Sequence, residues 1–384
     1  MIEANEKCTG CMACRFACPK AAISMEEDIE GFLQPKVNSN LCVECGICTK
    51  VCPKEKPIDY DHSFSQRYFA ARMVNRKERL ETQSGGVCTV FSQKAIESNK
   101  GVVYGVGFDS EWNAIHKRAT TTVGIEEFKG SKYVQSNIEQ VYDSIIADIK
   151  NKGIEQIVVT GTACQIAGIK SFLKIKKQPL DKIVFIDIIC HGVPSPKVWR
   201  DHLKIDVKRE GLKNVKFRNK RFGWSSHTET YYYKNSFSHG KCYTHFFYME
   251  VISRKCCNSC IYASYNRESD ITVADFWGYK KAGLSYDSFG ISECLINTPK
   301  GEAFFDRCKD SLEISEITRE QADQWNLNQP TIVDPVKRAE FWSLYHKDGY
   351  KAVRDAYCKE EIKNQWKINV FYILKAIKRF ILDR

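Results

Sequence analysis

The chain has 384 residues, 43% of them apolar and 27% charged, which supplies a folded core and excludes a disordered polymer. Its net charge of +11 is uneven, because residues 1–60 hold seven Lys/Arg against nine Asp/Glu and the positive excess falls in the remainder. That excess suits an acidic protein such as ferredoxin, a phosphate-bearing cofactor, an anionic membrane or nucleic acid, and selects none of them.

No run approaches the roughly 18 uninterrupted apolar residues of a membrane-spanning helix. The opening MIEANEKCTGC has no apolar signal region. The eighteen cysteines therefore read as thiols in a reducing cytoplasm and not as disulfides.

Cys8, Cys11, Cys14 and Cys18 precede Pro19, and Cys42, Cys45, Cys48 and Cys52 precede Pro53. This is the two-cluster bacterial ferredoxin spacing written twice. Three cysteines on a tight loop surround one face of a cubane, and the fourth of each run serves the other cluster. The expected sets are Cys8, Cys11, Cys14 and Cys52 for one [4Fe–4S] cluster and Cys42, Cys45, Cys48 and Cys18 for the second. Paired CxxC also suits zinc, but two complete runs each closed by proline favour cubanes. Two neighbouring clusters form a short electron wire, so residues 1–60 read as a ferredoxin-like electron-transfer domain.

A basic stretch around Arg76 to Arg79 lies within 61–83, which reads as a linker. Ser84-Gly85-Gly86-Val87-Cys88-Thr89 then reads as a glycine turn opening a helix, either a plain cap or a phosphate site. Residues 101–108 are strand-like, 141–152 helical, and 157–160 a buried strand running into Gly161-Thr162-Ala163-Cys164-Gln165 and a further helix. The strand at 183–189 ends on Cys190-His191-Gly192. Strand, helix and strand in this order is βαβ grammar and predicts a mixed, mostly parallel sheet in an α+β and α/β protein. Functional residues collect where such strands end, which is where Cys164, Cys190 and His191 fall. Cys256, Cys257 and Cys260 follow, ahead of a strand at 270–276. A lone cysteine is often core packing, whereas the Cys257/Cys260 CxxC suits a metal.

In these motifs the chain resembles the family of coenzyme F420 hydrogenase/dehydrogenase beta subunits, which includes 7-hydroxymethyl chlorophyll a reductase. The resemblance runs through Ser84-Gly85-Gly86, Gly130-Ser131-Lys132-Tyr133, Gly161-Thr162-Ala163-Cys164-Gln165 and Ile189-Cys190-His191-Gly192-Val193-Pro194-Ser195-Pro196. It continues through Phe217 to Trp224, the Cys257/Cys260 pair, Ser269 to Gly278, and Gly290-Ile291-Ser292. It departs at Ala163, where the family often has Pro, and at Ala274, where it often has Gly.

The resemblance implies an FAD-binding iron–sulfur reductase domain over 84–345. Its implied flavin neighbourhood is Ser84, Gly85, Gly86, Thr89, Ser131, Lys132, Tyr133, Thr160, Gly161 and Thr162. It also implies a third [4Fe–4S] cluster on Cys164, Cys190, Cys257 and Cys260, with Cys256 able to replace Cys257. A flavin exchanges electron pairs for single electrons. The expected protein thus passes electrons between ferredoxin or a deazaflavin and a small organic substrate, or serves as a non-catalytic electron-transfer subunit of a larger complex.

His191 is the sequence candidate for proton delivery, because a loop histidine titrates near neutrality; a histidine held in a hydrogen bond is the plainer reading. His227, His239 and His245 fit a substrate mouth. Arg218, Lys220, Arg221 and Trp224 would serve a nucleic-acid surface or flank the flavin pocket, and the second reading is preferred. Residues 346–384 read as a basic amphipathic tail, with seven basic and three acidic residues over 359–384. It would pack on the body or make a peripheral membrane or protein contact.

Overall fold

The computed structural model describes residues 2–363 together with 370 and 374. In the N-terminal module β1 (Ile23–Glu27) and β2 (Leu33–Val37) form an antiparallel hairpin. Two single-turn helices, Ala13–Ala17 and Ile47–Val51, flank it. The two cysteine loops take the left-handed conformation at equivalent places, Gly10 and Met12 in the first, Glu44 and Gly46 in the second. A side chain there costs roughly 1–2 kcal/mol, so the curl of each loop is imposed by what it surrounds and not by local propensity.

The chain then lays down β3 (Arg67–Met73), β4 (Gly101–Phe108), β5 (Ala114–Ala119), β6 (Gln156–Thr162) and β7 (Ile183–Ile188). A small antiparallel sheet of β8 (Asn214–Lys216), β9 (Glu229–Tyr232) and β10 (Phe237–Gly240) follows. Last come β11 (Ile271–Asp275), β12 (Ser292–Ile296) and β13 (Leu312–Ile317). The large sheet has the order β13-β3-β12-β11-β7-β6-β4-β5. Its centre, β11-β7-β6-β4, is parallel, and the strands on both sides are antiparallel. This is the expected mixed sheet with a parallel heart.

The central strands are apolar on both faces because both are covered. Val102, Tyr104, Ile157, Val159, Ile183 and Phe185 pack under the helices Glu139–Lys150 and Ala163–Ile175. Val103, Val158, Val184 and Ile186 pack on the other face, toward Val87–Ile96. The first of these cores also contains Cys11, Met12, Ala13, Cys14, Ala17, Ile23 and Val51. The N-terminal module therefore shares a hydrophobic core with the sheet domain.

Two boundaries differ from the sequence reading. The stretch 61–83 is more than a linker: Phe69, Ala70, Ala71 and Met73 are buried in β3, which pairs with β12 and β13 inside the sheet. The basic run Arg76 to Arg79 on which the linker reading rested is a short helix that follows β3, while Arg67 and Arg72 of the strand itself reach outward to Glu302, Glu316, Asp287 and Glu313. The boundary at 345/346 falls inside the helix Pro335–Tyr357, whose break is at Gly349, where φ is 78°. The expected amphipathic tail beyond residue 363 lies outside the described residues. Among the described residues no helix is long and apolar enough to cross a membrane.

Candidate functional site

The interleaved cysteine sets meet in space. Cys18, Cys42, Cys45 and Cys48 line one cavity together with Gly46 and Ile47. Cys8, Cys11, Cys14 and Cys52 lie close enough that the charges of Cys8 and Cys52 act on both Cys11 and Cys14. Burial pushes the Cys11 thiol up to about 12, so ionising these thiols needs a compensating positive group, which iron supplies. Backbone N–H groups already point at the sulfurs, Gly10 to Cys8 at 3.4 Å and Ala22 to Cys18 at 3.3 Å. Such donors stabilise thiolates bound to iron.

A third cavity is lined by Cys164, Cys190, Cys256, Cys257 and Cys260. Cys164 stands in the first turn of the helix Ala163–Ile175, Cys190 follows β7, and the other three occupy the turn Lys255–Ser259 and its end. The four thiols expected from the resemblance and the alternative Cys256 all line this one space. Burial pushes the Cys190 thiol up to about 12, and the Gly192 N–H donates to its sulfur at 3.4 Å. Among the described residues no three His, Cys, Asp or Glu close on one point as ligands of a single ion; the thiols ring cavities instead.

Thr9 and Lys54, from the two loops that carry the first cysteine set, line this third cavity too. Tyr142 donates to the Cys11 carbonyl at 2.7 Å. Cys11 also packs against the helix Ala163–Ile175 at Gly168, where an added Cβ would come within 2.9 Å of the Cys11 sulfur. The first and third thiol sets thus face each other across a shared wall.

On its far side the third cavity shares Thr162, Cys190, Gly192 and Val193 with a cleft of about 300 Å³. The cleft opens at the C-terminal ends of β4, β6, β7 and β11, where an open α/β sheet places ligands. Ser84, Gly86, Thr89, Ser131, Lys132, Tyr133, Thr160, Gly161, Thr162 and His191 all line it.

Gly85 does not line the cleft but shapes it. A Cβ there would stand 2.4 Å from the Ala71 carbonyl oxygen and 2.5 Å from the Ser292 nitrogen, so only glycine lets the turn lie flat on β3 and β12. Gly86, at φ 83°, is the N-cap of Val87–Ile96 and offers no side-chain acceptor. Gly86, Cys88 and Thr89 at the start of that helix line the cleft, and a helix N-terminus there suits a phosphate.

Lys132 donates to the carbonyls of Glu127 at 2.8 Å and Lys129 at 3.0 Å, and burial lowers it to about 7. Its charge at neutral pH thus depends on what occupies the cleft. His191 stands at the rim, its pKa lowered by burial. His116, which the sequence did not single out, lies beneath the floor, 2.9 Å from the Thr160 carbonyl and 3.2 Å from Ser136 Oγ; burial lowers it to about 4.

Residues 154–320 match the family described as the C-terminal part of the coenzyme F420 hydrogenase/dehydrogenase beta subunit, and residues 7–56 match a 4Fe-4S dicluster domain. The segment 154–320 belongs to the family of coenzyme F420 hydrogenase/dehydrogenase beta subunits. A relative within its range is a subunit of the F420H2 dehydrogenase of Methanosarcina mazei, 22% identical over 331 residues, 81% of this chain and 85% of that one. The coenzyme F420-dependent sulfite reductase of Methanocaldococcus jannaschii is 25% identical over 171 residues, 42% of this chain. That match spans only 24% of the reductase. A solved chain of the F420-reducing [NiFe] hydrogenase complex from Methanosarcina barkeri aligns with a TM-score of 0.48 at 18% identity, over 78% of this chain and 94% of that one.

Most of the segment 217–224 is buried beside the cleft, which Arg218 lines. Trp224 is fully buried, and Arg218 and Lys220 are nearly so. Arg218 pairs with Asp275, Trp224 donates to Asp275 at 2.7 Å, and its ring stacks on Trp277 at 4.7 Å. Arg221 is the member left outside, near Glu81.

Of the three histidines expected at a substrate mouth, only His227 comes near, against Tyr248 next to the lining residue Phe247. His239 is buried against Thr230 and His245 faces Glu361. Asp275, Trp277, Ser292 and Gln324 also line the cleft. The first three sit in motifs that carry the family resemblance, while Gln324 arrives from a loop with no local signal.

Proposed function

We propose that this chain is an iron–sulfur flavoprotein oxidoreductase that exchanges electrons between an external carrier and an organic substrate. The supporting observation is contiguity: Thr9 and Lys54, beside the first thiol set, also line the third thiol cavity, which shares Thr162, Cys190, Gly192 and Val193 with the cleft. Each of the three thiol sets would hold a [4Fe–4S] cluster, and FAD in the cleft would supply the conversion between paired and single electrons. Ser84, Gly86, Thr89 and Ser131 to Tyr133 would hold the flavin, with the Val87–Ile96 amides and Lys132 toward its pyrophosphate. His191 at the rim would exchange the substrate's proton with solvent. The carrier is ferredoxin or a deazaflavin.

The reading as an electron-transfer subunit is favoured by one surface. Around the exposed Cys45, Leu41 is 50% and Val43 57% exposed, an apolar rim at the outermost thiol set that a protein partner could cover.

The test loads the full chain with iron, sulfide and FAD under anaerobic conditions and reduces it with a stoichiometric excess of pre-reduced methyl viologen while the flavin absorbance is followed. Rapid bleaching in the wild type, slowed at least tenfold in Cys257→Ser/Cys260→Ser, is the expected result. No flavin uptake, or equal rates in the two proteins, would overturn the reading.

A further inference from the structure

Arg267 sits in the loop between the turn Lys255–Ser259 and β11, is 2% exposed, and lines the third thiol cavity. Its Nη1 stands 3.6 Å from Asp187 Oδ2, an acid as deeply buried as itself. Its Nε and Nη2 have no hydrogen-bond partner among the described residues. The hydroxyl of Tyr262, lining the same cavity, is likewise without one.

A buried guanidinium with two idle donors carries a desolvation cost of about 1–3 kcal/mol or more for each unmet group, which native proteins rarely leave uncompensated. The charge of Arg267 reaches Cys190 and Cys260. What would satisfy these donors is an anionic, sulfur-rich group in the space the thiols enclose.

We infer that Arg267 donates hydrogen bonds to the iron–sulfur cluster held by the Cys164, Cys190, Cys257 and Cys260 cavity and raises its reduction potential. This rests on the three-cluster reading above. The cluster gains negative charge when reduced, so a fixed cation with N–H donors on its sulfurs stabilises the reduced form more than the oxidised one. Asp187, whose own carboxylate oxygens also lack a hydrogen-bond partner among the described residues, balances the charge of the fork without bonding to it, and Arg267 is in this sense a tuning residue that takes no part in bond making.

Removing Arg267 alone would strand the Asp187 carboxylate in the core and risk misfolding. Two variants avoid this. Arg267→Lys keeps the charge and withdraws the planar fork, and Asp187→Asn/Arg267→Met removes both charges together. The measurement is an EPR-monitored redox titration of the full loaded chain, the relevant signal being the one missing from Cys257→Ser/Cys260→Ser. Both variants should keep wild-type iron and shift that signal alone to a lower potential, by at least tenfold in the reduction equilibrium, which is 59 mV for one electron.

An unmoved potential at full iron content in both variants overturns the role of Arg267 and leaves the third cluster standing. Wild-type protein with only about eight iron atoms, the content of two cubanes, overturns the third cluster and this inference with it.

Discussion

His116 ties the floor of the cleft to pH. Its ring spans the Thr160 carbonyl and Ser136 Oγ, and burial holds its pKa at about 4 against an ordinary value of 6.5. The unfolded chain therefore takes up a proton that the folded one refuses, so the contribution is complete above pH 6.5 and is lost as pH falls toward 4. The thermal midpoint should drop between pH 7 and pH 5, and His116→Gln should flatten part of that slope. An equal slope in both proteins would contradict the assignment. The cysteine sets were legible at this scale because ligand spacing is local, and so was the Ser-Gly-Gly turn. His116, Arg267 and Gln324 were not, since a buried polar residue is defined by neighbours distant in the chain or by a cavity, and no short window contains either.

Between elements, the N-terminal module is fastened by buried arginines. Arg338, on the helix Pro335–Tyr357, donates to Glu30 at 2.7 Å and to the Ser253 carbonyl at 3.1 Å. Arg254 donates to the carbonyls of Cys8 at 2.6 Å and Leu33 at 2.8 Å and to Gln135 at 2.9 Å. These buried bonds hold the module against the body. Arg338→Met leaves Glu30 buried without its partner and should cost about 3–5 kcal/mol, read as a lower thermal midpoint with faster hydrogen exchange in β1 and β2. Unchanged exchange in that hairpin would show that the fastening lies elsewhere. The parallel strands could be read from their continuous apolar runs, whereas β3 could not. The basic run Arg76 to Arg79 just after it reads as a linker, and only pairing with β12 and β13, more than 200 residues downstream, reveals β3 as a strand.

Over the whole molecule, the fold brings a thiol-lined cavity between the loops of the first cysteine set and a cleft at the strand ends. The shared core that joins the N-terminal module to the helices Glu139–Lys150 and Ala163–Ile175 keeps those loops beside it. Two of the thiol sets follow from a repeated motif, while the third draws its cysteines from three separate segments, so its assembly depends on the sheet. The most direct measurement is iron, sulfide and acid-released flavin on one anaerobically purified sample. About twelve iron atoms with one FAD per chain is the expected result for three cubanes beside a flavin. About eight iron atoms and no flavin, even after incubation with FAD, would contradict the account and leave an electron-transfer subunit.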